Sequence, residues 1–347
     1  MIRQPRTLVF ALLAALGACA TQPNNSSTPL QPEIATGFTR KADVVTQKFA
    51  VAAANPLATQ AGFDVLKAGG SAVDAAIAVQ MVLGLVEPQS SGIGGGAFLL
   101  HSAAGEGANK VQAFDGRETA PAAATEDMLL NAEGKPLAFH SAVVGGRSVG
   151  TPGVLRMLAQ AHAQHGKLPW AKLFEPAIAL ASQGFAISPR LHAQLKADTY
   201  LRLDPTARTY FYQANGEPHA VGHVLRNPEL AAVLQRIATE GVQAFYSGEV
   251  AEAVVRKVQQ HPSNPGRLAL SDLAHYQAKE RTPVCFDHAA ASRVYRVCGF
   301  PPPSSGAIAI GQILGMLQLT PASLMTSPTE AVDGTPDPRW LHLYTEA

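Results

Sequence analysis

Residues 72–86 are apolar on nearly every face of a helical projection, broken only by Asp74, Gln80 and Gly84. Ser71 and Asp74 stand at capping-box spacing at its start, and the run is too short to span a bilayer, so it predicts a buried central helix. Upstream, Asn55-Pro56 supplies an N-cap and an N1 proline for a helix over 56–68 that stops at Gly69-Gly70. The short apolar run 49–54 before it reads as a strand. Residues 154–165 carry an amphipathic pattern ended by Gly166, and Asn227-Pro228 opens another helix to about residue 239. A helical turn is predicted over 272–276, and a strand over 98–100. Two strand-like runs, 282–286 and 293–297, flank the small-residue turn Ala289-Ala290-Ala291 and predict a hairpin. Asp337-Pro338 caps a last helix with a Trp340, Leu341, Leu343, Tyr344 stripe. No repeat of 20 to 50 residues is present, and the mixture of elements lacks the strand–helix alternation of a doubly wound sheet.

The N-terminus has the pattern of a targeting signal. Arg3 and Arg6 precede nine apolar residues, 8–16, which end in Leu16-Gly17-Ala18-Cys19. That ending resembles a bacterial lipobox, which predicts lipidation of Cys19 and a periplasmic protein anchored to a membrane. Cleavage at Ala18-Cys19-Ala20 by ordinary signal peptidase is the alternative. Residues 1–19 are then the signal, 20–46 a tether rich in Asn, Ser, Thr and Pro, and 47–347 the folded region. In an oxidising compartment the hairpin would bring Cys285 and Cys298 within disulfide reach; two buried thiols are the alternative. Net charge is 27 − 26 = +1 over 347 residues, which excludes nucleic-acid binding through a basic surface. With 47% hydrophobic residues, global disorder is excluded as well.

Three features carry candidate chemistry. Gly92-Ile93-Gly94-Gly95-Gly96-Ala97 follows a helix and precedes a strand, the reverse of a dinucleotide fingerprint, and lacks the Lys-Ser/Thr of a P-loop. It marks backbone that runs close to something or takes positive φ repeatedly. Gly146-Arg147-Ser148-Val149-Gly150 fits a nucleophile elbow after a strand at Val143-Val144, but Thr151-Pro152 delays the following helix. The pairs His162/His165 and His219/His223 have no further ligands at metal spacing.

Together, several segments resemble the gamma-glutamyltranspeptidases (glutathione hydrolases). They are Asn55-Pro56-Leu57-Ala58-Thr59, Gly69-Gly70-Ser71-Ala72-Val73-Asp74, the Val86 to Gly96 loop, Asp115-Gly116-Arg117-Glu118-Thr119-Ala120-Pro121, Thr151-Pro152-Gly153, Gly166-Lys167-Leu168-Pro169-Trp170 and Pro301-Pro302-Pro303-Ser304-Ser305-Gly306. Ala97 and Ala307 stand where that family commonly has glycine. The resemblance implies an α+β fold, a four-layer αββα N-terminal-nucleophile hydrolase sandwich incomplete in this chain. It implies a precursor that cuts itself into two subunits, no cofactor, and γ-glutamyl compounds such as glutathione as substrates. It also implies that Arg117 grips the α-carboxylate of the γ-glutamyl group. A turn arginine paired with Asp115 or Glu118 is the competing role for that side chain. The family's nucleophilic Thr lies in a Thr-Thr-His segment that these 347 residues do not contain, so the chain is expected to be a large-subunit portion, poorly soluble and inactive alone, whose partner is a small subunit. A lipid-anchored serine esterase using Ser148 and a non-catalytic γ-glutamyl-binding module are the alternatives.

Overall fold

The computed structural model describes residues 44–103, 111–290, 292–320 and 337–347. Cys19 and the residues expected to form the signal and most of the tether lie outside the described residues. Helices α1 (Pro56–Lys67), α2 (Ala72–Val86), α3 (Phe139–Val143), α4 (Val154–His165), α5 (Glu175–Gln183), α6 (Pro189–Ala197) and α7 (Pro205–Phe211) are followed by α8 (Pro228–Glu240), α9 (Gln243–Tyr246), α10 (Gly248–Gln259) and α11 (Leu270–His275). Helices α12 (Gly306–Gln318) and α13 (Pro338–Glu346) close the chain. The strands are β1 (Phe98–Ser102), β2 (Val111–Asp115), β3 (Phe185–Ala186), β4 (Val224–Leu225), β5 (Lys279–Arg281), β6 (Val284–Ala290) and β7 (Arg293–Gly299).

The helix starts follow their caps. Asn55 Oδ1 accepts from the Leu57 amide at 3.0 Å, and Asn227 Oδ1 accepts from that of Leu230 at 2.9 Å. Ser71 and Asp74 form the reciprocal capping box that starts α2. Ile77, Ala78 and Val82 on α2 are fully buried, and the helix packs against α1, α4 and α5, which makes it the centre of the core. Asp74 also reaches a segment remote in sequence, where its Oδ2 accepts from the amides of Lys167 and Leu168 at 2.9 and 3.1 Å. One buried carboxylate thus caps a helix and holds the turn after α4.

An antiparallel sheet of order β1-β2-β5 lies beside this core. Its register sets Phe98 opposite Asp115, and Asp115 opposite Lys279. The β6–β7 hairpin forms a separate ladder in which Cys285 and Cys298 are direct partners, Cα atoms 4.1 Å apart with their sulfurs bonded. Three local readings change: Ala289 and Ala290, read as turn, pair with Val294 and Arg293 in this ladder. Residues 49–54 are irregular rather than a strand, because Val51 and Phe49 pack onto α1 at Gly62 and Phe63 instead of pairing with backbone. Residues 139–143 are helical, so no strand precedes Ser148.

Candidate functional site

Arg117 lies in the turn that leaves β2. Ala97 and Gly116 exchange backbone hydrogen bonds (2.9 and 3.2 Å), which carries the β1–β2 ladder one step past Asp115. The Asp115 carboxylate is buried. Its Oδ1 accepts from the Arg117 amide at 2.9 Å, and its Oδ2 accepts from Arg281 Nε at 2.6 Å. The guanidinium paired with Asp115 is therefore that of Arg281, not that of Arg117. The Arg117 side chain is exposed, and no salt bridge to it forms among the described residues. Its guanidinium carbon lies 5.9 Å from the centroid of the Phe98 ring, within cation–π range. Phe98 in turn packs on Phe300 with ring centroids 4.2 Å apart.

The turn is held from the far side by Tyr276, whose hydroxyl donates to the Arg117 carbonyl at 2.7 Å. Burial pushes the Tyr276 phenol up to about 12, and the negative charges of Asp115 and Glu118 push in the same direction. The hydroxyl is therefore a donor across the ordinary pH range. A Cβ on Gly153 would run into that hydroxyl and into the Gly116 carbonyl, so glycine there lets the α4 entry approach the turn. Below the turn runs the glycine-rich loop. Gly95 O accepts from the amides of Gly153 and Val154 at 3.0 and 3.1 Å. A Cβ on Gly96 would lie 2.6 Å from Glu118 Oε2 and 2.7 Å from Gly116 O. Close approach thus explains the glycine at this position. The alternative of repeated positive φ is not met, since none of Gly92, Gly94, Gly95 and Gly96 has it. A shallow cleft of about 450 Å³ adjoins the turn, lined by Thr119, Thr151, Asp272, Tyr276 and Lys279 among others; Arg117 does not line it.

The other candidates separate from this place. The Ser148 hydroxyl is exposed and donates to Val143 O at 3.1 Å. With a short helix before it and a turn after it, the strand–nucleophile–helix geometry of an elbow is not formed. His162 Nε2 meets Leu168 O at 2.9 Å, and His165 bonds Gln112 at 2.6 Å and stacks on His101. His219 and His223 stack on each other with centroids 4.0 Å apart; burial first, then the neighbouring His223, lowers the His219 pKa. Among the described residues no group of three or more His, Cys, Asp or Glu is placed to hold a metal ion, and no helix is long and apolar enough to cross a membrane. Sequence reasoning missed Tyr276 and Arg281, which stand 159 and 166 residues from their partners. The helical turn that ends at Tyr276 is predictable, but nothing local links it to Arg117.

Residues 58–347 match the family model described as Gamma-glutamyltranspeptidase. The chain is 39% identical over 278 residues to glutathione hydrolase 3 of Arabidopsis thaliana, covering 79% of this chain and 41% of that protein. It is 36% identical over 317 residues to the glutathione hydrolase proenzyme of Escherichia coli K12, covering 90% and 52%. The crystal structure of Helicobacter pylori gamma-glutamyltranspeptidase superposes with a TM-score of 0.77 at 29% identity, covering 88% of this chain and 82% of that one. The α+β, N-terminal-nucleophile hydrolase class expected from the sequence is the class of these solved neighbours. The chain spans about half the length of the curated relatives it matches. With the match covering most of its residues and these relatives in both sequence and structure, the chain belongs to the gamma-glutamyltranspeptidase family.

Proposed function

We propose that this chain is the substrate-gripping part of a gamma-glutamyltransferase, or glutathione hydrolase, in which Arg117 binds the α-carboxylate of the γ-glutamyl group. The observation that carries the reading is the state of Arg117. Its peptide is anchored on both sides, its guanidinium is exposed, and the nearby carboxylate that would neutralise it is taken by Arg281. A guanidinium held this way can receive a carboxylate through two parallel hydrogen bonds. The attacking hydroxyl belongs to a Thr outside these 347 residues, at the N-terminus of a small subunit. Its α-amine takes the hydroxyl proton, the oxygen bonds the γ-carbonyl carbon, and the C–N bond breaks as the amine leaves with that proton. Water or an amino acid then attacks the resulting ester. The serine esterase alternative loses its basis with the missing elbow.

Titration calorimetry of the chain with glutathione tests the grip. Binding is expected, with Arg117→Ala weakening it at least tenfold; equal affinity in the two would remove Arg117 from the role. The purified chain is expected to release no p-nitroaniline from γ-glutamyl-p-nitroanilide. Release would overturn the assignment of the nucleophile to residues outside the chain.

For location, the reading is export with lipidation at Cys19, supported by the basic start, the nine-residue apolar run and the Leu-Gly-Ala-Cys ending. Incorporation of labelled palmitate that disappears in Cys19→Ser would support it. A processed, unlabelled protein would assign simple signal cleavage instead.

A further inference from the structure

Arg117 is a long side chain on an exposed turn, and a long flexible side chain loses conformational freedom when it is fixed on a ligand. An arginine whose backbone is already fixed starts closer to its bound geometry. The two peptide units of Arg117 are each held by a different element of the fold. The N-terminal one donates to Asp115, which Arg281 of β5 holds in turn. The C-terminal one accepts from the hydroxyl of Tyr276, just past α11. The Tyr276 ring is buried, and its hydroxyl lies against Gly153, where an added Cβ would run into it.

We propose that Tyr276 is a positioning residue for substrate recognition: its hydroxyl, with the Asp115–Arg281 pair as the opposing pin, sets the direction from which the Arg117 guanidinium meets an α-amino-acid carboxylate. This rests on the assignment of Arg117 to that carboxylate. The Tyr276 hydroxyl is given to the Arg117 carbonyl rather than to the substrate. It acts through the main chain of Arg117 alone, and its contribution must vanish when Arg117 has no guanidinium to aim.

A double-mutant cycle tests this on the full chain, with glutathione as the titrant. Tyr276→Phe removes one oxygen and leaves the ring in place. It is expected to raise Kd about tenfold in the chain that has Arg117, and to leave Kd unchanged in the Arg117→Ala background. A merely structural role would weaken binding in both backgrounds, and that outcome overturns the proposal. So does an unchanged Kd for Tyr276→Phe beside a large effect of Arg117→Ala. Hydrogen–deuterium exchange of the peptide spanning 115–119 supplies a second arm that needs no ligand. Faster exchange in Tyr276→Phe, confined to that segment, supports the pin, and an unchanged rate overturns it. If Arg117→Ala leaves binding as it was, or the unsubstituted chain binds no glutathione, the carboxylate assignment fails by itself, and the exchange arm still decides whether Tyr276 holds the turn. Arg281→Lys, which keeps a cation beside Asp115, repeats both arms from the opposing pin should Tyr276→Phe fail to fold.

Discussion

Asn55 and Glu87 are joined by a buried hydrogen bond, Asn55 Nδ2 donating to Glu87 Oε1 at 2.8 Å. Asn55 caps the start of α1 and Glu87 follows the last residue of α2, so the bond ties the two ends of an antiparallel helix pair that α2 carries into the core. The second Glu87 oxygen accepts from Gln89 at 2.6 Å and Arg190 at 3.2 Å. Asn55→Ala removes a cap and strands a buried acceptor, an expected loss of about 2–4 kcal/mol. Glu87→Ala removes the buried acceptor shared by Asn55, Gln89 and Arg190, an expected loss of about 2–4 kcal/mol. Urea unfolding followed by circular dichroism reads both. Losses under half a kcal/mol would show that the clasp is incidental.

The glycine-rich loop yields a contrast within three residues. At Gly96 an added methyl would meet the Glu118 carboxylate at 2.6 Å and the Gly116 carbonyl at 2.7 Å, whereas at Gly94 nothing lies within 4 Å. Gly96→Ala is therefore expected to cost about 1–3 kcal/mol, as overpacking against backbone does. Gly94→Ala is expected to stay within about 0.5 kcal/mol of the parent. The same denaturant curves check the pair, and equal effects would mean that close approach is not what requires glycine at residue 96.

The contrast shows what kind of information is local. Asn55, Ser71 and Asn227 announce their helices because each cap bonds an amide two or three residues on, so the relation fits in a tetrapeptide. Asp74 is legible as the second half of a capping box, but not as the acceptor for Lys167 and Leu168, since that depends on where α4 ends in space. Arg117 comes from the resemblance. That its guanidinium is free of the Asp115 carboxylate depends on Arg281, brought in by a strand far along the chain. Residues 49–54 mislead for a related reason: apolar composition shows that the segment is partly covered, not whether helix or strand covers it.

Ser148 gives a negative prediction. Its hydroxyl is exposed and bonded only to the carbonyl of Val143 among the contacts seen. Ser148→Ala is expected to change stability by no more than about 0.5 kcal/mol. It is also expected to leave hydrolysis of a p-nitrophenyl ester at the background rate that the unsubstituted chain shows. An esterase rate that disappears with this substitution would reinstate the serine.

The Cys285–Cys298 cross-link closes a short loop, 13 residues in sequence separation, across adjacent strands. Constraint of the unfolded chain by a loop of this size is worth about 2–3 kcal/mol. Cys285→Ser is expected to lose about that much, and dithiothreitol to lower the parent to the same level while leaving the variant unaffected. Thiol titration under denaturing, non-reducing conditions should find neither cysteine free. Two titratable thiols at these positions would exclude the bond.

Alkali should attack the fold where its tyrosines are buried. Burial is the leading cause of the raised pKa at each of four of them. Tyr276 and Tyr210 are pushed up to about 12, Tyr246 is pushed up further, and Tyr212 is also raised. A raised pKa in the folded state means that the fold favours the neutral phenol. The stability this contributes is complete below the unfolded value of about 10 and is lost as pH rises through the folded value near 12. Tyr276 is the informative member, because its hydroxyl donates to Arg117 O and its phenolate would face the carboxylates of Asp115 and Glu118. Phenolate absorbance at 295 nm is therefore expected to develop in two phases, with the later one coinciding with the loss of the helical dichroism signal. Tyr276→Phe should shrink that later phase. If all seven tyrosines ionised in one step near pH 10 while the helical signal persisted, the buried hydroxyls would be open to solvent and the pin on the Arg117 turn would not exist in solution.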